Sequence, residues 1–317
     1  MNYTLHQLLV FLKVAEKQSI TKASEELHLT QPAVSIQLKK FQEQFEFPLT
    51  EVIGRQLYVT PFGEEVVNMA RKILNEVDAL EYRVKEHQGK IAGRLKISIV
   101  STGKYVMPYF LSGFVNAHID VDLTLDVTNK KQVVESLENN EVDFALVSVL
   151  PEHLNLETIE LMPNDLFLVG NTEIESKREL PSNQIFENYP LLYRESGSAT
   201  RNAMENFIEK QKISNEKKME LTSNEALKQA IIAGLGYSIM PLIGIKNELQ
   251  NGEVKLISCE GLPITTTWYL VWLKSKKLSP VASAYLNFLQ QEKDKIVNDY
   301  FSWVKEIPKK QSFFSNH

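Results

Sequence analysis

Two short stretches in the second half of the chain combine hydroxyl side chains with glycine, a composition that suits an anion. Ser101-Thr102-Gly103 lies between a predicted strand and a predicted helix, and a second stretch lies in the same setting further on. That second stretch is Ser196, Gly197, Ser198, Ala199, Thr200 and Arg201. Backbone N–H groups and the dipole of a helix N-terminus attract carboxylate or phosphate, and an arginine can clamp the same group. Both stretches are therefore candidates to bind a small anionic ligand.

An ordinary helix cap is the commoner role for either stretch taken alone. Arg201 could equally pair with Glu205, one helical turn further on. The matched positions of the two stretches, on opposite sides of a predicted cleft, favour the ligand interpretation more than either stretch does by itself. Asn224, at the head of a later helix, and Ser148, at the end of a strand, are weaker candidates for the same site.

Motifs for catalysis and metal binding are missing from the sequence. It contains no G-x-S-x-G elbow, no H-E-x-x-H pair and no phosphate-binding P-loop. The histidines, at positions 6, 28, 87, 118, 153 and 317, do not follow metal-ligand spacing. The lone Cys259 excludes an intramolecular disulfide and a multi-cysteine metal site. We expect no metal, no cofactor and no enzymatic activity, although an enzyme or small-molecule-binding protein of the same two-lobed fold stays open as the alternative.

The elements that position these stretches begin at Arg94, where strands and helices start to alternate as in an α/β sheet. A first series has strands at 94–100, 120–128 and 142–149 and helices at 105–118 and 132–139. A second has strands at 166–170, 191–193 and 219–222 and helices at 199–212 and 225–233. A strand at 265–273 and a helix at 280–292 plausibly return to the first series. The pattern predicts an α/β domain at 94–293 with lobe I at about 94–162 and 268–293, lobe II at about 163–267, and a cleft between them.

The last part of the chain, 294–317, forms an extension to this domain. Residues 296–304 either lengthen the preceding helix or pack on the surface, and 309–317 is expected to be loose.

At the other end of the chain, the stretch Ser19–Lys40 is typical of two short helices joined by a tight turn. Thr30 suits the N-cap of the second helix, and Pro32 suits its first turn. Helical spacing then puts Val34, Leu38 and Phe41 on one face. The opposite face carries Pro32, Ser35, Ile36, Lys39 and Lys40. An ordinary solvated surface is the usual meaning of such a face, but its composition also fits a helix that reads the DNA major groove.

The flanking segments favour DNA binding. An amphipathic helix precedes the helix pair, and the alternating stretch Arg55–Thr60 follows it, so residues 1–60 are typical of a winged helix-turn-helix. The net charge of −5 gives no general attraction to DNA, and acidic residues balance the basic ones over the first 63 positions. Phosphate or groove contacts must then be local, from Lys22, Lys39, Lys40 and Arg55.

A long helix is predicted from Pro61, with Thr60 as its N-cap, to Gln88, where Gly89 ends it. Its apolar stripe has heptad spacing: Val66, Ala70, Ile73, Val77, Leu80 and Val84, widened by Val67 and Leu74. Packing against its own domain is the alternative explanation of such a stripe. Its length favours pairing with a second copy of the chain, which makes 61–88 a dimerisation helix and 89–93 a hinge.

The ordered set of residues across the first 63 positions resembles the LysR-type transcriptional regulators. The positions that carry the resemblance are Leu8, Phe11, Ala15, Ser19, Thr21, Ala23, Leu27, Gln31-Pro32-Ala33-Val34-Ser35, Gln37-Leu38, Pro48-Leu49, Gly54-Arg55 and Thr60-Pro61-Phe62-Gly63. Four positions depart from the usual pattern: Ser24 for alanine, Gln42 for glutamate, Glu46 for glycine and Thr50 for phenylalanine. The turn before the wing is therefore the least typical part.

The resemblance continues to about residue 290. The stretches at 101–111, 129–137, 142–153, 194–207 and 223–241 are most similar to the effector domains of the regulators of Calvin-cycle (Rubisco) operons, which resemble type 2 periplasmic binding proteins. It implies a cytoplasmic homodimer or homotetramer that binds double-stranded operator DNA, expected to be an interrupted inverted repeat, under the control of a small anionic metabolite. The expected DNA contacts are Thr21, Lys22, Gln31, Pro32, Ser35, Ile36, Lys39, Lys40 and Arg55.

Overall fold

The computed structural model describes residues 2–54, 56–86, 90–179, 181–213 and 217–306. The chain forms two compact units, Met1–Gly93 and Arg94–His317. The first unit is mostly helical, and the second is a mixed α/β unit. The fold class expected from the sequence, a helix-turn-helix unit followed by a two-lobed α/β unit, is confirmed.

The first unit contains α1 (Leu5–Lys17), α2 (Ile20–Glu26), α3 (Gln31–Gln42), β1 (Thr50–Ile53), β2 (Gln56–Val59) and α4 (Pro61–Glu86). Local signals set the helix starts. The Ser19 hydroxyl accepts a hydrogen bond from the Lys22 N–H at 3.3 Å, and that of Thr30 accepts one from the Ala33 N–H at 3.4 Å. The two helices of the predicted helix-turn-helix pair and the Thr30 cap of the second are confirmed.

The core of the first unit is aromatic and aliphatic. Phe11 and Phe41 are fully buried with ring centroids 5.2 Å apart, and Ala23 and Val34 bring α2 and α3 onto the same core. Burial of each large apolar side chain stabilises the fold by about 1.5–3 kcal/mol. The side of α3 that carries Val34 is therefore held inward, which fixes the opposite side outward.

The wing is a hairpin of β1 and β2, paired antiparallel from Thr50 opposite Val59. The sequence indicated its second strand but not its first. Two residues that depart from the family pattern meet here, because the Gln42 side-chain oxygen accepts hydrogen bonds from the Thr50 N–H at 3.1 Å and its hydroxyl at 2.8 Å. These bonds join the end of α3 to the start of the wing.

The apolar stripe of α4 divides into two parts. Val66, Val67 and Ala70 are buried in the core of their own unit, whereas Ile73 is 40% and Leu80 66% exposed. The assignment of the whole stripe to a seam between two chains is corrected: its first part packs on its own unit because α4 lies against α1. The predicted helix end at Gln88 and Gly89, Arg55 of the wing and the side chain of Val84 lie outside the described residues.

The strands of the second unit are β3 (Gly93–Val100), β4 (Val121–Thr128), β5 (Phe144–Val147), β6 (Leu156–Asn171), β7 (Leu191–Arg194), β8 (Lys218–Leu221), β9 (Ser238–Pro241), β10 (Val254–Ile257) and β11 (Ile264–Leu273). Its helices are α5 (Met107–Ala117), α6 (Lys130–Glu138), α7 (Thr172–Ser176), α8 (Ile185–Asn188), α9 (Ala199–Lys210), α10 (Asn224–Ile232), α11 (Lys246–Gln250) and α12 (Pro280–Phe301). Short 3₁₀ helices occupy Ser101–Tyr105, Ser182–Gln184 and Leu242–Gly244.

The main sheet has the strand order β10-β6-β11-β5-β3-β4, and β9 also pairs with β6. Strands β3 and β5 are parallel, and β7 and β8 form a separate parallel pair. Strands β6 and β11 pair antiparallel along their length and connect the two halves of the sheet. They are the crossovers between lobe I, around β3 to β5, and lobe II, around β7 to β10.

Several boundaries differ from the sequence expectation. The strand predicted at 166–170 begins at Leu156, because its earlier residues pair with β11, where the register shifts between Trp268 and Tyr269. The helix predicted from residue 105 begins at Met107, with Pro108 in its first turn and a 3₁₀ turn before it. Strands β9 and β10 were not predicted.

Helix α12 runs on to Phe301, beyond the predicted end at 292, so the chain extension lengthens that helix. Phe301 is buried and stacks on Phe110 of α5, with ring centroids 5.9 Å apart. Lys246 of α11 lies over the ring of Trp303 at 4.8 Å. The extension thus contacts elements of both lobes, and 309–317 lies outside the described residues.

Within the part of the chain that the structure describes, no helix combines the length and apolar character that crossing a membrane requires.

Candidate functional site

The first candidate surface is the outer face of α3. Ser35, Lys39 and Lys40 are exposed, and Ile36 is 53% exposed although it is apolar. The inner residues of the same helix are buried, so α3 is held with this face toward solvent. A hydroxyl, a branched aliphatic side chain and two lysines on one helix can contact base edges, a thymine methyl group and phosphates.

The remaining DNA candidates of the described chain lie in α2 and at the start of α3. Thr21 and Lys22 of α2 are exposed, as are Gln31 and Pro32 in the first turn of α3. Arg55 lies outside the described residues. The structure thus leaves every described candidate accessible to a partner.

Two other lysines of this unit form ion pairs that join α1 to α2. Lys13 and Lys17 of α1 contact the Glu26 carboxylate of α2 at 2.8 and 2.7 Å. The hydrogen bonds from Lys13 and Lys17 lower the pKa of Glu26 to about 2. By contrast, Lys39 approaches Glu43 only at 3.9 Å, with 79% of its side chain exposed. Positive charge toward DNA therefore comes from Lys22, Lys39 and Lys40 among the described candidates.

The second candidate site is a cleft of the α/β unit with an empty volume of about 280 Å³, including the part open to solvent. Residues from both lobes line it: Val100, Ser101, Thr102, Asn129, Lys130, Arg194, Glu195, Ser198, Ala199 and Thr200. The two hydroxyl-rich stretches picked out in the sequence therefore meet at one cleft, through Ser101 and Thr102 on one side and Ser198 and Thr200 on the other.

The lining residues come from the carboxyl ends of strands. Ser101 follows β3, Asn129 and Lys130 follow β4, and Arg194 is the last residue of β7. Helix starts face the cleft from these same loops, with Lys130 at the start of α6 and Ala199 at the start of α9. Ser198 is the N-cap residue of α9, yet within the described chain its hydroxyl makes no capping hydrogen bond. The cleft thus presents N–H groups and hydroxyls to a negatively charged ligand.

Arg194 is the arginine of this cleft, and the sequence did not single it out. It is only 4% exposed, and its Nε and Nη2 each donate to the Glu195 carboxylate at 2.8 Å. The guanidinium therefore already holds a carboxylate in two-point geometry, the geometry that a ligand carboxylate or phosphate would use. The sequence signal that could have identified Arg194 is its position at the carboxyl end of a strand, where ligands bind in α/β sheets. The same signal applies to Asn129 and Lys130.

Arg201, expected as the charged clamp, is placed elsewhere. Its Nε donates to Glu205 at 2.8 Å and its Nη1 to Glu220 at 2.5 Å and to the Arg194 carbonyl oxygen at 3.0 Å. The hydrogen bonds that Arg201 donates to Glu205 and Glu220 raise its pKa. Because its Nε and Nη1 already donate to two carboxylates and a carbonyl oxygen, Arg201 braces α9 against β7 and β8. The arginine that lines the cleft is Arg194.

Other effector candidates fall outside the lining. A Cβ on Gly103 would lie 2.8 Å from a methyl group of Leu146, so Gly103 lets the 3₁₀ turn pack on the sheet. Gly197 has a φ of +86°, which turns the chain toward α9, and Ser196 beside it is exposed. Ser148, after β5, is half-buried and is not among the described lining residues.

Asn224, at the start of α10, borders the cleft. Its side-chain N–H donates to the Ser101 hydroxyl at 3.3 Å, which links lobe II to lobe I. Asn224 is 4% exposed, and its Oδ1 has no hydrogen-bond partner among the described residues. The adjoining residue, Glu225, accepts hydrogen bonds from Tyr105 and Lys104. A bond from Tyr105, then bonds from Lys228 and Lys104, lower the Glu225 pKa to about 2.

Metal ligands do not cluster in this unit or the other: the described residues contain no group of three or more histidine, cysteine, aspartate or glutamate side chains suited to hold a metal ion. Burial raises the pKa of the Cys259 thiol, which disfavours the thiolate.

A winged helix-turn-helix unit joined to a two-lobed α/β unit with an anion-suited cleft defines a ligand-responsive DNA-binding protein. Comparison with known families agrees. Residues 5–64 match the bacterial regulatory helix-turn-helix protein family of the lysR type, and residues 88–294 match the LysR substrate binding domain. The chain belongs to the LysR family of transcriptional regulators.

Relatives of similar length share sequence over most of the chain. The HTH-type transcriptional activator CmpR of Synechocystis is 37% identical over 289 residues, which cover 91% of this chain and 95% of that protein. The RuBisCO operon transcriptional regulator of Allochromatium vinosum is 35% identical over 92% of this chain and 97% of its own length. The predicted resemblance to regulators of Rubisco operons is confirmed.

Solved structures agree with the fold. The regulatory domain of Synechocystis PCC6803 CcmR, determined in complex with 2-PG (2-phosphoglycolate), is 30% identical, with a TM-score of 0.57 over 62% of this chain and 95% of that one. Full-length CbnR complexed with its target DNA has a TM-score of 0.65 over 91% of this chain and 99% of that one. Its sequence identity of 19% makes it a comparison of fold alone.

Proposed function

We propose that this protein is a transcriptional regulator whose binding to operator DNA changes when a small phosphorylated carboxylate, of which 2-phosphoglycolate is the representative, occupies the cleft of its α/β unit. The observation that carries the proposal is the convergence of a buried arginine, a lysine and four hydroxyl side chains from both lobes on one cleft.

The chemistry of the cleft supports a ligand with two anionic ends. Arg194 offers a guanidinium fork, which matches carboxylate or phosphate, and Lys130 offers a point charge at the start of α6. Ser101 and Thr102 on one lobe and Ser198 and Thr200 on the other can donate to the remaining oxygens.

The relatives support the same class of effector. The structure of the CcmR regulatory domain is a complex with 2-phosphoglycolate, and CmpR and the Rubisco operon regulator of Allochromatium vinosum are similar to this chain over nearly their whole length. We carry over the chemical class, a small phosphorylated acid, to this chain. The genes that it regulates and the direction of regulation lie beyond this proposal.

On the DNA side, α3 enters the major groove with Ser35, Ile36 and Lys39 toward the bases, and the wing holds the flanking backbone. Ion pairs within the unit occupy Lys13 and Lys17, so each copy brings few cations and binds weakly alone. The regulator acts as a homo-oligomer, in which Ile73 and Leu80 of α4 meet a second copy of the helix. Access to chromosomal DNA places it in the cytoplasm, and its role is recognition, without catalysis.

Coupling follows from a ligand that binds both lobes at once. Such a ligand favours the lobe arrangement in which both sets of contacts form, and it shifts the population toward that arrangement. A changed angle between the lobes would alter the spacing of paired DNA-binding units in the oligomer.

Isothermal titration of full-length protein with 2-phosphoglycolate tests the proposal. The double variant Thr102→Val, Thr200→Val should weaken binding at least ten-fold, because it removes hydroxyl donors from both lobes. Thr158→Val, at an exposed threonine of β6, is the matched control and should bind as the wild type does. Unaltered affinity in the double variant, or no binding by the wild type, would overturn the proposed effector site.

A further inference from the structure

The carboxylate of Glu195 stands out among the residues that line the cleft. The cleft otherwise offers hydroxyls, N–H groups, Lys130 and Arg194, all of which suit an anion. Glu195 repels an anion, yet it lines the same cleft and is bound to Arg194 by two hydrogen bonds of 2.8 Å. A negatively charged side chain next to an anion-binding group lowers the affinity of that group for anionic ligands.

We infer that Glu195 is a tethered competitor of the effector: it occupies the guanidinium fork of Arg194, and an incoming phosphate or carboxylate must displace it. The inference rests on the proposed effector cleft and adds a residue that sets its threshold and specificity.

The difference in burial between the two side chains means that Glu195, and not Arg194, moves when a ligand enters the cleft. Arg194 has 4% of its side chain exposed and is held at the end of β7, so it cannot follow Glu195 out of the cleft. The Glu195 side chain is 21% exposed and lies in the loop between β7 and α9, so it can turn toward water once released. A ligand with two anionic oxygens can replace it bond for bond, whereas a neutral ligand or one with a single hydroxyl cannot.

A high concentration of effector is therefore needed to fill the cleft, and the cleft selects strongly for anionic ligands. Because the competitor is part of the chain, its local concentration is constant, and only a ligand that gains further contacts in the cleft displaces it. Weak or singly bonded anions of the cell are thereby rejected.

Glu195→Gln tests the inference, since it keeps the shape and removes the charge. Inorganic phosphate and 2-phosphoglycolate are titrated into wild-type protein, Glu195→Gln and the control Glu205→Gln. The control removes a glutamate that pairs with the neighbouring Arg201 at 2.8 Å and does not line the cleft. Glu195→Gln should bind both ligands about ten-fold more tightly than wild type, equivalent to about 1.4 kcal/mol. Glu205→Gln should match the wild type.

Equal or weaker phosphate binding by Glu195→Gln, including no binding by either protein, would overturn the inference. Tighter phosphate binding without any binding of 2-phosphoglycolate would retain it and would instead refute the proposed effector. Should the variant not fold, a crystal structure of the wild type with phosphate decides the matter. Phosphate oxygens on Arg194 with Glu195 turned away support displacement, and a persisting Arg194–Glu195 pair beside the bound phosphate contradicts it.

Discussion

Replacing Arg194 by glutamine removes the guanidinium from the cleft while leaving a side chain of similar length. In the proposed complex the guanidinium makes two charge-assisted hydrogen bonds to the ligand. Each such bond contributes about 1.5–3 kcal/mol, and release of Glu195 offsets part of the total. A net loss of about 2–3 kcal/mol corresponds to roughly 30- to 140-fold weaker binding of 2-phosphoglycolate.

Isothermal titration measures this loss, with Arg201→Gln as the matched control. Arg201 lies in the same part of lobe II, but its donors are held by Glu205, Glu220 and a carbonyl oxygen. The control should change affinity less than about three-fold, apart from any loss of stability, which thermal melting of both variants would detect. Equal affinities of Arg194→Gln and wild type for 2-phosphoglycolate would refute the proposal that Arg194 binds the anionic group of the ligand.

Three further predictions concern other parts of the molecule. Ile36→Arg should alter operator preference in a binding-site selection experiment, because Ile36 is 53% exposed on the outer face of α3, and an unchanged selected sequence would count against a base contact. Leu80→Glu should weaken self-association at least ten-fold by sedimentation, since Leu80 is 66% exposed on the stripe of α4, whereas Leu235→Glu, at a 51% exposed leucine, should not. Glu225 has its pKa lowered from 4.5 to about 2, so its contribution to stability is present above pH 4.5 and is lost as pH falls toward 2. The difference in melting temperature between wild type and Glu225→Gln should therefore shrink from about pH 6 to about pH 3, and a constant difference would contradict a carboxylate stabilised by hydrogen bonds from Tyr105, Lys228 and Lys104.

The helix-turn-helix pair was predictable because its signals are local. Ser19 and Thr30 cap their helices, Pro32 begins α3, and the helical period assigns its inner and outer faces. The wing was only partly predictable. Strand β1 is mostly exposed and takes its place through hydrogen bonds to Gln42 of another element, so no pattern within its own residues indicates it.

Long-range pairing limited the prediction of the cleft. The hydroxyl stretches at 101–103 and 196–201 were found because a strand followed by a helix marks such loops in sequence. The sequence places Arg201 at the end of one of these loops and so favours it as the clamp, but Glu220 of β8, which is distant in sequence, helps to hold it away from the cleft. Arg194 ends β7 of the two-stranded sheet, and Lys130 follows β4 of the main sheet, so the two residues come together only in the folded α/β unit. Both residues agree with the rule that ligands bind beyond the carboxyl ends of strands.

The long helix α4 illustrates how one sequence stripe can serve two surfaces. Its heptad spacing is uniform, so the sequence alone cannot divide it between two partners. Contacts with α1 bury the first part, including Val66 and Ala70, and leave Ile73 and Leu80 exposed. Only the exposed part can contribute to a seam with a second copy.

We expect an anion in the cleft to change how the full-length protein binds DNA. This expectation can be measured by fluorescence anisotropy with labelled DNA from upstream of its own gene and its neighbouring genes, at fixed salt and with 2-phosphoglycolate added from zero to saturation. We predict sequence-specific binding whose apparent Kd, or whose protected region in a parallel footprint, changes with 2-phosphoglycolate in the wild type and does not change in Arg194→Gln. Specific DNA binding that is identical with and without the ligand, in both affinity and footprint, would contradict the account.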